Sequence, residues 1–170
     1  IHEYKKSSVL ELSIKLNKMN IALFASGAGS NVKNIINYFK HNSNVNVQVV
    51  LSNNLNSGAL QFAKDKNITS YVFNKIELLN NLVLDIMYNN NIKLIVLAGF
   101  LLKIPEKFIK DFNGDIINIH PSLLPKYGGK GMYGNYVHKA VIDNNEKESG
   151  ITIHYVNENY DEGNIIFQKT

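Results

Sequence analysis

The run Leu94-Ile95-Val96-Leu97-Ala98 is apolar throughout and ends at Gly99. A strand with one wet face alternates apolar and polar residues, so an unbroken apolar stretch describes a strand covered on both sides. Parallel sheets meet that condition, because their crossover helices lie on both faces, and the run therefore commits the chain to an α/β fold. The flanking pattern agrees. Residues 20–25 and 47–51 read as two further apolar strands, and between them Val32, Ile35, Ile36 and Phe39 recur at helical spacing. Helices are predicted near residues 57–66 and from 76 to 89, the second carrying Leu78, Leu79, Leu82 and Ile86, with a short strand at 70–73 between them. There is no internal repeat and no interdomain linker, so the expectation is one domain.

The residues most suited to chemistry lie further on, in Ile117-Asn118-Ile119-His120-Pro121-Ser122-Leu123-Leu124-Pro125. Asn118 and His120 are two apart at the end of a strand, so an amide and an imidazole share one face. The prolines force the chain out of the sheet in a rigid loop. Open α/β sheets bind ligands outside the carboxyl ends of their strands, although a turn asparagine and a satisfied strand-end histidine fit the same residues. The two-proline loop also suggests a cis peptide at Leu124-Pro125.

Three other stretches bear on function. Ser26-Gly27-Ala28-Gly29-Ser30-Asn31 joins the first strand to a helix, a layout whose backbone N–H groups suit an anion. It is no dinucleotide fingerprint, since Val32 replaces the third small residue and Ser52-Asn53-Asn54 offers no acid for a ribose. Nor is it a Walker loop, which needs a Gly-Lys-Ser/Thr sequence. Residues 99–105 form an unusually apolar loop at the end of the central strand, placed to wall a pocket for a flat ligand. Residues 126–134 are glycine-rich, and His138 follows on a helix, where a structural role is favoured. In residues 151–156 Thr152 and His154 share a face, read here as the polar one, and the turn after them carries Glu158, Asp161 and Glu162.

Composition removes several classes. The net charge is +4, but every basic residue is lysine and the lysines are scattered, so nucleic acid is not expected. No apolar run reaches the ~18 residues of a membrane span, so no membrane partner is expected either. The absence of cysteine rules out disulfides and thiolate metal sites and is compatible with a cytoplasmic setting. Residues 1–18, with Val9, Leu12 and Leu16 at weak helical spacing, read as an N-terminal extension of uncertain origin.

Ser26 to Asn31, Ala98-Gly99-Phe100, Asn118 to Pro125 and Asp161-Glu162-Gly163, in that order, resemble the phosphoribosylglycinamide formyltransferase family, and the likeness spans residues 19–170. The resemblance implies a Rossmann-like, mostly parallel sheet with helices on both faces and an antiparallel C-terminal extension. It implies formyl transfer from 10-formyltetrahydrofolate, as co-substrate, to glycinamide ribonucleotide, without a metal. It assigns catalysis to Asn118, His120 and Asp161 and the substrate phosphate to Gly29, Ser30 and Asn31. It assigns the folate to Leu97, Phe100, Leu102, Lys103, Ile104, Asn118, Asn157 and Asp161. Against the family pattern, the sequence is expected to lack a C-terminal helix region, and oligomeric state is left open.

The residue types suit that reaction. Negative charge grows on a formyl oxygen as an amine attacks, so donors aimed at it are the main need, and Asn118 with a protonated His120 can supply two. Asp161 either favours the imidazolium or accepts the amine proton through water. The competing readings are methionyl-tRNA formyltransferase, formyltetrahydrofolate deformylase, or a silent folate- or nucleotide-binding relative. Against the tRNA enzyme, the loop after Pro125 lacks arginine and no second domain is visible.

Overall fold

A computed structural model describes residues 18–170. The weak helical spacing of Val9, Leu12 and Leu16 lies outside the described residues. In chain order the strands are β1 (Met19–Phe24), β2 (Val45–Ser52), β3 (Thr69–Val72), β4 (Ile92–Leu97), β5 (Asp115–His120), β6 (Ile151–Tyr155) and β7 (Ile165–Lys169). The helices are α1 (Ser30–Phe39), α2 (Gly58–Asp65), α3 (Lys75–Leu79), α4 (Leu82–Asn89), α5 (Glu106–Asp111) and α6 (Asn135–Asp143). The strands form one sheet in the order β3-β2-β1-β4-β5-β6-β7. The first five run parallel, and β6 and β7 add on antiparallel.

The central strand behaves as its composition requires. Alternate residues of β4 enter opposite cores: Ile95 and Leu97 meet Met87, Leu84 and Phe108 on one side. Val96 and Ala98 meet Val32, Ile36, Ala59 and Ala63 on the other. Each such side chain contributes about 1.5–3 kcal/mol by leaving water, so an alternating strand would forfeit half of this. The strand order reverses between β1 and β4, and the crevice at that switch point opens beyond their carboxyl ends.

One helical expectation is corrected. The helix read over residues 76–89 is two helices, because Asn81 adopts a left-handed φ of 67°, which asparagine tolerates better than most residues. The break turns the apolar faces independently: Leu78 is buried, whereas Leu79 and Leu82 are exposed and Val83, Leu84 and Met87 face the core. A capping box between Asn74 and Glu77 starts α3. Helix α5 was not legible, since its six residues are too few to show a period and only Phe108 among them is buried.

A second correction concerns β6. Thr152 and His154 lie not on a solvated face but in the interior, at 0% and 2% exposure. Thr152 donates its hydroxyl to Ser122 O at 2.7 Å and accepts N–H groups from Leu124 at 3.0 Å and from the Gln168 amide at 2.9 Å. One hydroxyl therefore fixes the loop that follows His120, in which Leu124-Pro125 is cis as expected.

Thr152→Val keeps the shape but takes the hydroxyl partner from Ser122 O and the Leu124 N–H, while the Gln168 amide keeps its bond to the Leu124 carbonyl at 2.9 Å. The free energy of unfolding, measured in urea, should fall by about 1–3 kcal/mol with little change in m-value. A fall below ~0.5 kcal/mol would show that other partners already satisfy the loop.

Candidate active site

Strand-end loops enclose the crevice. The first, residues 25–29, leaves β1 and is packed against the start of α2: a Cβ on Gly29 would lie 2.6 Å from Ala59 Cα, and Gly29 also holds a φ of 80°. Only glycine fits there. Helix α1 then begins at Ser30 with no side-chain cap and no acidic residue in its first turn, so its N–H groups remain available to an anion. Gly27, Ser30 and Asn31 line the cavity, whereas Gly29, expected to touch a phosphate, is absent from its wall and serves the turn beneath.

The second loop follows β4. Phe100 sits edge-on to Phe24, ring centroids 5.4 Å apart, and against Phe73 at 5.8 Å, which anchors an apolar wall in the core. Leu97, Phe100, Leu102, Lys103 and Ile104 all line the cavity. Lys103 places its ammonium 5.5 Å from the Tyr160 ring, bringing this wall to the turn between β6 and β7, where Asn157 and Asp161 stand. The enclosed volume is about 860 Å³, large enough for an extended small molecule.

At the centre, Asn118 and His120 project from the same face of β5, and Asp161 arrives from the far turn. Asp161 Oδ1 accepts an N–H from Asn118 Nδ2 at 3.2 Å and stands 3.6 Å from His120 Nδ1. Its Oδ2 accepts the Gly129 N–H at 2.9 Å. The predicted trio is thus brought together across 43 residues of sequence. Glu162 is exposed and takes no part.

The sequence reading missed the fourth member. His154 lies directly opposite Asn118 in the antiparallel pair, so its ring joins the site, with Nε2 at 3.1 Å from Asn118 Nδ2 and 3.5 Å from Asp161 Oδ1. Its Nδ1 meets the Tyr155 carbonyl at 2.8 Å and must donate there, which leaves Nε2 as the atom turned toward Asn118 and Asp161. The signal was the two-residue spacing from Thr152; the strand partner was not visible. Likewise His120 Nε2 must donate to Tyr127 O at 2.8 Å, so Nδ1 is the atom turned toward Asp161. Both amide hydrogens of Asn118 have partners inside the cluster, an arrangement the sequence did not suggest. His138, expected to be structural, is instead exposed on the cavity wall.

Burial pushes the Asp161 carboxyl upward, but the His154 side chain, the Gly129 N–H and the charge of His120 outweigh it and hold the carboxyl below its ordinary range. Asp161 is therefore an anion throughout the neutral range. Among the described residues no group of three or more acidic, histidine or cysteine side chains is arranged to hold a metal.

An open α/β sheet with a polar cluster and an apolar slot at its switch point defines a small-molecule enzyme of the Rossmann-like class. Residues 19–170 match the formyl transferase pattern, and the chain belongs to the formyl transferase family. It is 37% identical over 155 residues to a phosphoribosylglycinamide formyltransferase of Haemophilus influenzae, covering 87% of this chain and 70% of that one. It is 37% identical over 158 residues to a chloroplastic phosphoribosylglycinamide formyltransferase of Arabidopsis thaliana, covering 89% of this chain and 54% of the relative. The crystal structure of phosphoribosylglycinamide formyltransferase from Anaplasma phagocytophilum superposes with a TM-score of 0.80 at 32% identity, over 88% of this chain and 70% of that one. The chain spans about half the length of the chloroplastic relatives it matches.

Asp161 has a φ of 57°, which asparagine also accepts, so Asp161→Asn tests the charge without straining the turn. A depressed folded-state pKa contributes stability that is fully present above the unfolded value of about 3.9 and is lost as pH falls through the folded value. The stability that the Asp161 charge contributes relative to Asp161→Asn should therefore shrink as pH falls below about 5. Urea denaturation across about pH 2–5 checks this; a difference that stays constant over that range would show that the carboxyl is not held below its ordinary range.

Proposed function

We propose that this site transfers the formyl group of 10-formyltetrahydrofolate to the amine of 5'-phosphoribosylglycinamide, a step of purine biosynthesis. The observation that carries the reading is the meeting of Asn118, His120 and Asp161 between an apolar slot and an open helix N-terminus, in a chain of the formyl transferase family. The two small molecules are the proposed partners, and the cytoplasm is the proposed setting.

On this reading the folate lies along Leu97, Phe100, Leu102 and Ile104, with Lys103 at hand for its carboxylates and Asn157 and Asp161 on the opposite wall. The phosphate of the acceptor sits on the N–H groups at Ser30 and Asn31, which directs its glycyl amine toward β5. The amine attacks the formyl carbon, and charge develops on the formyl oxygen. That oxygen competes with Asp161 for an Asn118 N–H and takes a second, charge-assisted hydrogen bond from Nδ1 of a protonated His120. Such a donor contributes about 2.7–4 kcal/mol to barrier lowering. Asp161 supports the imidazolium by proximity and keeps its orientation. The new C–N bond forms as the amine loses a proton, and the bond to the folate nitrogen breaks as that nitrogen gains one. His120 is the group suited to pass it.

Incubation of the whole chain with both substrates should yield formylglycinamide ribonucleotide; release of formate without transfer would favour a deformylase. Ser30→Asp offers a sharper test. An acid in the first helical turn suits the helix dipole, so stability should hold or rise, while the added charge repels a phosphate dianion. The KM for the phosphorylated acceptor should rise about tenfold or more and that for the folate by less than about twofold. Equal changes in both would remove the phosphate from this helix end.

A further inference from the structure

Ser26, a buried serine at the end of β1 that no step of the reaction employs, occupies an unusual position. Its backbone N–H donates to Gly99 O at 3.0 Å, and its Oγ accepts the Leu101 N–H at 2.9 Å. Two bonds two residues apart clasp the turn that begins the apolar wall. The hydroxyl's own hydrogen goes to Asn53 Oδ1 at 2.6 Å, which aims the Oγ lone pairs toward Leu101. The Ser26 carbonyl accepts from Asn54 Nδ2 at 3.2 Å, so the loop after β2 braces the arrangement from behind. The Phe100 ring, packed on Phe24 and Phe73, anchors the turn on its core side. Gly99 has a φ of 78°, nothing lies within 4 Å of where its Cβ would be, and Leu101 is 48% exposed.

We infer that Ser26 is a positioning residue for the cofactor wall: its hydroxyl, oriented by Asn53, fixes the backbone of residues 99–101 and thereby the slot that receives the folate. The inference rests on the function proposed above, since it is the folate that this wall would hold. The anion loop does not depend on the hydroxyl. It is held separately, by Ser57 Oγ donating to Gly27 O at 2.8 Å and by the close packing of Gly29 on Ala59. Loss of the hydroxyl should therefore act on one substrate and not the other.

The test uses Ser26→Ala, Asn53→Ala and Asn53→Asp in the full chain. In Ser26→Ala the KM for 10-formyltetrahydrofolate should rise about 5–10-fold, the span of one lost hydrogen bond, with kcat at saturation and the KM of the phosphorylated acceptor within about twofold. Asn53→Ala should move the folate KM in the same direction by less, and Asn53→Asp, which keeps the acceptor oxygen, should restore it. Hydrogen exchange at the Leu101 amide supplies a readout independent of turnover and should quicken in Ser26→Ala. An active wild type with an unchanged folate KM in Ser26→Ala, or an equal rise in both KM values, overturns the role of Ser26 and leaves the proposed function standing. A wild type that transfers no formyl group overturns the function, and unaltered Leu101 exchange would then dispose of the clasp as well.

Discussion

The Asp161 carboxylate is the contact on which the site depends. One oxygen faces Asn118, His120 and His154, and the other takes the Gly129 N–H. A buried carboxylate is costly unless its lone pairs are met, and here donors from β5 and the glycine-rich loop meet them while two imidazoles lie alongside. Because the donors come from separate parts of the chain, the carboxylate fixes where β5, β6 and the loop at residues 128–134 stand relative to one another. The same contacts keep it ionised, so the orientation of the two imidazoles and the charge beside them have one cause.

The antiparallel turn of the sheet makes this possible. With β6 reversed, His154 pairs with Asn118 and Thr152 with His120, so alternate residues of two strands deliver four polar groups to one face. The outer two groups differ in position: His120 lines the cavity, and Thr152 ties the loop of the cis proline in place.

The switch point supplies the remaining geometry. Loops after β1 and β4 diverge around a crevice, one ending on a helix N-terminus and the other on an apolar wall fixed to Phe24 and Phe73. An anion-favouring helix end and a flat apolar face are thereby given separate walls, with the polar cluster of Asn118, His120 and Asp161 between them. The rigidity of the first loop has a plain origin, since a side chain at Gly29 or Gly58 would strike the backbone of the other's neighbour.

Local pattern alone determined the parallel core, the glycine turn into α1, the pairing of Asn118 with His120 on one face, and the loop with two prolines. Each depends on residues within one or two turns, where steric and periodic rules act directly. The resemblance of four short motifs added Asp161, which no spacing could have linked to His120. Tertiary structure alone decided the rest: that His154 and Thr152 face inward, that Gly29 shapes the turn and not the wall, and that His138 stands at the cavity. It also split residues 75–89 at Asn81. The reason is common to all of these. A strand's alternation says which residues share a face, but which face is buried, and which partner stands opposite, is set by pairing with chain far away in sequence.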